Sequence, residues 1–358
     1  MYRVIQWATG NVGRAAIRGI LAHPELELAG VYVHGADKEG RDAGELAGGG
    51  PTGVRATRDA GALLATKADC VLYAPLLAKP DEVKRILASG KNVVTPLGWF
   101  YPGASAGAAE LQAACLANGV TLHGTGIHPG GITERFPLMV SALSRNVRHV
   151  RAEEFSDIRS YRAKDVVREV MLFGKAPEQA AKSPMLRILA GGFLQSIDML
   201  AAGLDMALDP EKRTRHEMAV ATAPIDTPVG TLAKGTVAAQ RFAFEGTVRG
   251  ETVISVRVNW LMGQEHLDPP WRYGTERFEI EVTGDPTVKV DFHGLHPHDW
   301  RDEAALADNP GIAATAIHCV SAIPYVCRAE PGIRTYLDLP LVSGRADASL
   351  RPGAAGRS

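Results

Sequence analysis

The first seventeen residues, Met1-Tyr-Arg-Val-Ile-Gln-Trp-Ala-Thr-Gly-Asn-Val-Gly-Arg-Ala-Ala-Ile17, constrain this chain more than any other stretch. Arg3 to Trp7 reads as a short buried strand, and Gly10 and Gly13 make a tight turn from it into a helix. Strand, glycine turn and helix in that order form the element that binds a dinucleotide pyrophosphate. Glycine has no side chain to hold phosphates away, and the helix start offers unpaired N–H groups and a positive dipole end. Thr9, Gly10, Asn11, Val12 and Gly13 are the candidate phosphate contacts. The spacing is Ala8-x-Gly10-x-x-Gly13, so alanine takes the first position of the G-x-G-x-x-G fingerprint.

Alternation carries the fold class further. The first helix stops at His23, because Pro24 disfavours helical geometry there. Strands are then expected at Leu26–Val33, Val54–Thr57, Ala68–Ala74, Asn92–Thr95 and Val120–Gly126, with helices at Asp81–Ser89 and Ala106–Asn118. Short connections between them predict a parallel sheet covered on both faces. This is a Rossmann doubly wound α/β domain over 1–128. After His128-Pro-Gly-Gly131 the texture changes. Helices are expected at Thr133–Ser144, Asp165–Phe173 and Met185–Leu204. Strands are expected at His149–Asp157, His216–Thr222, Gly235–Val248, Thr252–Leu261, Arg277–Thr283 and Thr287–Phe292. Tight turns such as Arg249-Gly250 predict an antiparallel or mixed sheet. The result is a second, α+β domain with an open mixed sheet over 129–308. Asn309-Pro310 is a good helix start. The segment 309–342 is predicted to return to the first domain, and 343–358 to be a mobile tail.

A net charge of −1 gives no basic footprint for nucleic acid and no polybasic membrane patch. Cys70, Cys115, Cys319 and Cys327 form no Cys-x-x-Cys pair and sit in apolar runs, as core residues in a reducing compartment do. The first strand begins at once, leaving no room for a signal peptide, and no apolar run reaches the ~18 residues that span a bilayer. A cytoplasmic location is expected.

Several side chains are candidates for chemistry. At the end of the second strand an NAD-specific fold carries Asp or Glu for the ribose hydroxyls. Here His34 stands there, followed by Asp37, Lys38 and Arg41. His34 and Lys38 are taken as cofactor contacts, with Lys38 and Arg41 suited to a 2′-phosphate. NADP is therefore expected, with NAD held through Asp37 as the alternative. Tyr101, just past a strand end, carries a phenol that could donate a proton, or is a core or rim aromatic. His128 is a candidate acid near neutral pH, or fixes its turn. Trp99 and Phe100 are expected to wall an apolar substrate pocket. Glu154 and Asp157, on the first strand of the second domain, could hold a substrate amine or a water, or play a solvated or structural part. His293, His296 and His298 lack a cysteine partner, and no metal is expected.

These residues resemble those of the dihydrodipicolinate-reductase-like oxidoreductases, in the branch of 2,4-diaminopentanoate dehydrogenase and the native amine dehydrogenases. The resemblance rests on Val4-Ile-Gln-Trp-Ala-Thr-Gly-Asn-Val-Gly13, Gly40-Arg-Asp-Ala-Gly-Glu-Leu-Ala-Gly48, Asn92-Val-Val-Thr95, Gly124-Thr-Gly-Ile-His-Pro-Gly130 and Ser321-Ala-Ile-Pro324. It implies NAD(P)H, a homodimer and hydride transfer to a C=O or C=N carbon of a small, fairly apolar substrate. A cofactor-binding regulator without turnover is the alternative. The nicotinamide is expected near Ala74, Pro75, Thr95, Pro96 and Gly126, with Ser321 in place of an asparagine common in the family. Amine-forming members carry a glutamate in the segment after Val-Val. Thr95-Pro-Leu-Gly-Trp-Phe-Tyr-Pro102 has no acid.

Overall fold

The computed structural model describes residues 1–103, 106–303, 306 and 308–351. The chain divides into two units, Met1–Gly126 with Thr315–Ser358, and Ile127–Ala314.

The first unit carries β1 (Tyr2–Trp7), α1 (Asn11–Ala22), β2 (Leu26–Tyr32), α2 (Ala43–Leu46), β3 (Ala56–Thr57) and α3 (Ala60–Ala65). It continues with β4 (Cys70–Tyr73), α4 (Pro80–Ala88), β5 (Asn92–Thr95), α5 (Ala106–Asn118) and β6 (Thr121–Gly124). From later in the chain come most of α9 (Pro310–Val326) and β14 (Gly332–Ile333). The strands form one parallel seven-stranded sheet in the order β14-β6-β5-β4-β1-β2-β3. Cys-Val-Leu-Tyr and Asn-Val-Val-Thr read as continuous apolar runs because helices cover both faces of such a sheet. Ile5, Val71, Val93 and Leu122 pack with Val83, Ile86 and Leu87 of α4 and Leu111 and Cys115 of α5. The chain leaves β1 for β2 on one side and returns to β4 on the other. That reversal opens a crevice at the carboxyl ends of β1 and β4, where ligands of open α/β sheets bind. On the helix side, Gly19 of α1 lets Ile317 and Val320 of α9 approach closely.

Strand β14 was not foreseen, since two residues show no period; it is held by β6 and by Ile333 N–H donating to Gln112 Oε1 at 2.6 Å. The expected strands at 54–57, 68–74 and 120–126 are shorter than predicted. The described part of the stretch from Ser343 makes hydrogen bonds back to the first unit. Arg345 Nε donates to Glu25 Oε1 at 3.0 Å, and Arg351 Nη2 to the Ala22 carbonyl at 3.5 Å. The rest of that segment, 352–358, lies outside the described residues.

The second unit contains α6 (Phe136–Ser141), β7 (Arg145–Asp157), α7 (Pro177–Ala180), α8 (Met185–Gly203), β8 (Arg213–Ala221), β9 (Val237–Val248) and β10 (Glu251–Leu261). It is completed by β11 (Leu267–Asp268), β12 (Arg277–Asp285) and β13 (Val288–Phe292). Its sheet runs β11-β8-β9-β10-β7-β12-β13, with β7 and β10 parallel and the other pairs antiparallel. Strand alternation sends Val150, Val256, Val258, Ile280 and Val282 into a core shared with Phe193, Ile197 and Leu200 of α8. The opposite face carries Arg151, Glu153, Asn259, Glu279 and Glu281. There Arg151 pairs with Glu153, with Glu279 at 3.1 Å and with Glu281 at 3.2 Å.

Two expected helices are altered. Over 133–144, Gly131–Arg135 forms a single π turn and α6 ends at Ser141. Pro137 has no N–H for the Thr133 carbonyl, so a regular helix cannot run through it. Over 165–173, only the π turn Val166–Val170 forms, and Leu172 at φ 63° breaks it. Helix α8 is long and apolar enough to cross a membrane, contrary to the sequence expectation, but its Phe193, Ile197 and Leu200 are buried in the core of this unit.

Candidate functional site

In the first unit the turn after β1 is built around one carbonyl. Gln6 Nε2 donates to the Ala8 carbonyl at 2.9 Å, and a Cβ on Gly13 would collide with that same oxygen. Gly13 therefore lets α1 start hard against the end of β1. Ala8, at the first fingerprint position, has φ 75°. A left-handed conformation costs an L-residue about 1–2 kcal/mol, which glycine avoids. Ala8→Gly is thus expected to raise stability by up to about 1 kcal/mol, read as a higher Tm with dinucleotide affinity retained.

The start of α1 is open. Its N-cap, Gly10, makes no side-chain cap, and a Cβ there would meet nothing within 4 Å. That open space over the first turn fits a pyrophosphate held by the helix-start N–H groups. Gly10 and Asn11 are exposed, Val12 is half-buried, and Thr9 and Gly13 are buried. Lys38 reaches back to the turn, its Nζ donating to the Thr9 carbonyl at 3.3 Å. His34 is exposed beside it, edge-on to Tyr32, which stacks on Trp7 at 4.2 Å. Arg58, missed from sequence because it follows a different strand, donates from Nε to the His34 carbonyl at 3.2 Å. Asp37 folds its carboxylate over Gly35.

Ala74, Thr95, Pro96 and Gly126 follow or end β4, β5 and β6 on the same carboxyl edge of the sheet. Ala74 N–H bonds the Trp7 carbonyl at 3.0 Å, and Thr125 N–H bonds the Thr95 carbonyl at 2.9 Å. Pro75 is half-buried beside them. Ser321 is 8% exposed on α9, and its hydroxyl makes no hydrogen bond among the described residues. The aromatic segment lies elsewhere. Phe100 is 2% exposed, Trp99 packs on the core of this unit at φ 57°, and a Cβ on Gly124 would strike their backbone. Tyr101 lines a groove with Gln112 of α5 and Thr335 and Leu337 beyond β14, over the β14 edge of the sheet. Sequence reasoning missed Tyr336, whose hydroxyl bonds Thr125 Oγ1 and, at 2.8 Å, His318 Nε2. No local signal joins those three positions.

In the second unit His128 and Glu154 come together. His128 Nε2 lies 3.8 Å from Glu154 Oε2, the histidine side chain 2% exposed and the carboxylate 14%. Burial pushes the His128 imidazole down to about 3, so it is neutral at physiological pH and the contact is not an ion pair. Its Nδ1 bonds Thr133 Oγ1 at 2.9 Å. Burial raises the Glu154 carboxyl, against hydrogen bonds from Ser156 at 2.6 Å and Trp260 Nε1 at 3.0 Å that favour its charged form. Ser156 Oγ also bonds His296 Nε2 at 2.8 Å. Trp260 and His296 were not foreseen as neighbours of Glu154, since β10 and the segment after β13 bring them. Among the described residues no group of His, Cys, Asp or Glu is arranged to hold a metal ion. Glu134, in the π turn before α6, is fully buried against Ser196, and burial pushes its carboxyl up to about 8.

Comparison with known proteins agrees with this architecture. The model of the 2,4-diaminopentanoate dehydrogenase C-terminal domain matches residues 132–350. An amine dehydrogenase of Streptomyces virginiae is 32% identical over 357 residues, spanning 95% of this chain and 97% of the relative. A 2,4-diaminopentanoate dehydrogenase of Acetoanaerobium sticklandii is 26% identical over 266 residues, 73% of this chain and 70% of the relative. The solved structure of an amine dehydrogenase from Mycobacterium smegmatis shares the fold, with TM-score 0.76 and 20% identity over 96% of this chain and 97% of that one. A matched C-terminal family model and a full-length relative, set beside a Rossmann sheet with an open glycine turn, place the chain in the family of 2,4-diaminopentanoate dehydrogenase and the amine dehydrogenases, as an NAD(P)-dependent oxidoreductase.

Proposed function

We propose that the protein is an NADPH-preferring amine dehydrogenase, which converts a small, fairly apolar ketone and ammonia to an amine and water. The observation that carries the cofactor part is the uncapped first turn of α1 above Gly10. Thr9 to Gly13 hold the pyrophosphate by backbone N–H groups. Lys38, His34 and Arg58 gather at the end of β2 and favour a 2′-phosphate; Arg58 is shared with Glu39 at 3.9 Å. The strand-end residues Ala74, Pro75, Thr95, Pro96 and Gly126 form the floor for the nicotinamide, and Ser321 offers a free hydroxyl to its carboxamide. When bound, the nicotinamide supplies the hydride. Thr95–Pro102 carries no acid, so a carboxylate for ammonia must come from elsewhere, and Glu154 is the candidate read from sequence. The neutral His128 beside it keeps the site free of a fixed positive charge that would repel ammonium.

The test is cofactor oxidation with a panel of short ketones, with and without ammonium, and with both coenzymes. Oxidation that requires ketone and ammonium together supports the reading; oxidation with ketone alone makes the protein a carbonyl reductase. Lys38→Ala is expected to weaken NADPH binding about 10-fold, one lost charge-assisted contact, and to leave NADH binding nearly unchanged. Equal losses for both coenzymes would count against a 2′-phosphate at Lys38.

A further inference from the structure

The second unit holds a cavity of about 760 Å³ at the carboxyl ends of β7 and β10, between the segments 263–276 and 294–301. Its charged groups are not balanced. Asp157 is gripped by the Arg159 fork, with Nε 2.9 Å from each carboxylate oxygen. Glu265 faces the same guanidinium. Asp299 has Arg301 at 3.8 Å, and Asp302 has His298 at 3.2 Å. Glu276 makes no ion pair among the described residues, although the Arg159 guanidinium, engaged with Asp157, also acts on it. One of its oxygens accepts the Asp157 N–H at 2.6 Å; the other makes no hydrogen bond among the described residues. Burial first, and then the charges on Asp157 and Glu154, push its carboxyl up to about 7, against the Asp157 N–H and the Arg159 guanidinium, which lower it. His296, across the cavity, adds no positive charge, because burial holds it down to about 4.

The apolar part of the lining is aromatic. Tyr273 and Trp300 both border the cavity. Arginines already lie over the Trp300 ring, Arg159 at 4.7 Å and Arg301 at 4.4 Å. The rings therefore offer edges and apolar wall rather than a free face for another cation. A ligand that suits this lining has one compact cationic donor and a short apolar body.

We propose that this cavity binds a small aliphatic amine, with its ammonium group on Glu276 and its carbon chain against Tyr273 and Trp300. The inference rests on the amine dehydrogenase reading, and beside Glu154, the candidate read from sequence, it adds a second carboxylate of the same unit that can hold an amine nitrogen. Ammonium has three donors and no acceptor, and so matches a carboxylate oxygen without a partner. A buried charge pair forms only where both charges are hydrogen-bonded, and here the backbone of Asp157 already holds one oxygen in place.

The experiment is calorimetric titration of the full chain, without coenzyme, with butan-2-amine and with butan-2-ol, its uncharged match in shape. The amine is expected to bind at least about 10-fold tighter than the alcohol. Glu276→Gln is expected to remove that preference while keeping the parent Tm, since glutamine can still accept the Asp157 N–H. Glu276→Asp, which keeps the charge, is expected to restore part of it. Equal binding of amine and alcohol by the parent, or a preference that survives in Glu276→Gln, overturns the proposal. The two readings fail separately. If ammonium-dependent coenzyme oxidation runs with the same ammonium KM in Glu276→Gln, the activity stands and this site does not. If the parent shows the amine preference but no ammonium-dependent oxidation, the site stands and the activity does not.

Discussion

Gly13→Ala is expected to reduce dinucleotide affinity about 100-fold and to lower stability by about 1–3 kcal/mol. The added methyl falls on the Ala8 carbonyl oxygen and within 3.1 Å of Gln6 Nε2. Neither can yield cheaply. The carbonyl belongs to the backbone and is already held by that amide. The start of α1 must therefore move away from β1, and the N–H groups that face the phosphates move with it. Gly10→Ala is the informative contrast. Its Cβ meets no protein atom and its φ is −70°, so the fold has no reason to suffer. The methyl does enter the space above the first turn. Affinity should fall while Tm holds, and paired calorimetric titration and thermal melts separate the two effects. Unaltered NADPH affinity in both variants would remove the phosphates from this turn.

The second large effect is expected in the other unit. Arg151→Met should destabilise the protein by about 3–5 kcal/mol, the usual cost of removing one partner from a buried ionic cluster. Glu153 and Glu279 are 7% and 4% exposed and lose a guanidinium between them. Glu279 keeps Arg277 and Lys289, and Glu153 keeps the Asn259 amide. The deficit should depend on pH in a definite direction. Burial pushes the Glu279 carboxyl up, but the bonds from Arg277 and Lys289 and the nearby Arg151 outweigh it and hold the group below the ordinary 4.5. A carboxyl lowered in the folded state adds stability above its unfolded value, and that stability is lost as pH falls through the folded value. The parent therefore loses more than the variant on acidification, and urea melts of the two should converge below pH ~4. A gap that stays constant from neutral to acid pH would show that the loss is one of packing.

What the sequence made legible was what is local. The turn at Ala8–Gly13 could be read because the strand, the glycines and the helix are consecutive. The alternation through 1–126 could be read for the same reason. The polar surroundings of Glu154 could not. Ser156 is near in sequence, but Trp260 arrives through the parallel pairing of β10 with β7, and His296 through a loop after β13. Glu276 stood next to Arg277 with no spacing to mark it; its meaning comes from Asp157, across the β7–β12 pair. Tyr101 was placed by the strand end it follows, yet the backbone over Gly124 turns it towards α5. Even Lys38, singled out for its charge, gave no sign that it would reach back to Thr9.

One feature of the topology bears on how the molecule is made. The strand that closes the β6 edge, Gly332–Ile333, and the residues Ile317 and Val320 that cover Gly19 are translated only after the whole of Ile127–Ala314 has been synthesised. A nascent chain thus holds the nucleotide turn early, in a sheet with one bare border, while the intervening segment can finish its own core without help. Ribosome-stalled chains that stop before residue 330 should accordingly keep an open β6 border, the kind of edge that recruits chaperones or foreign strands.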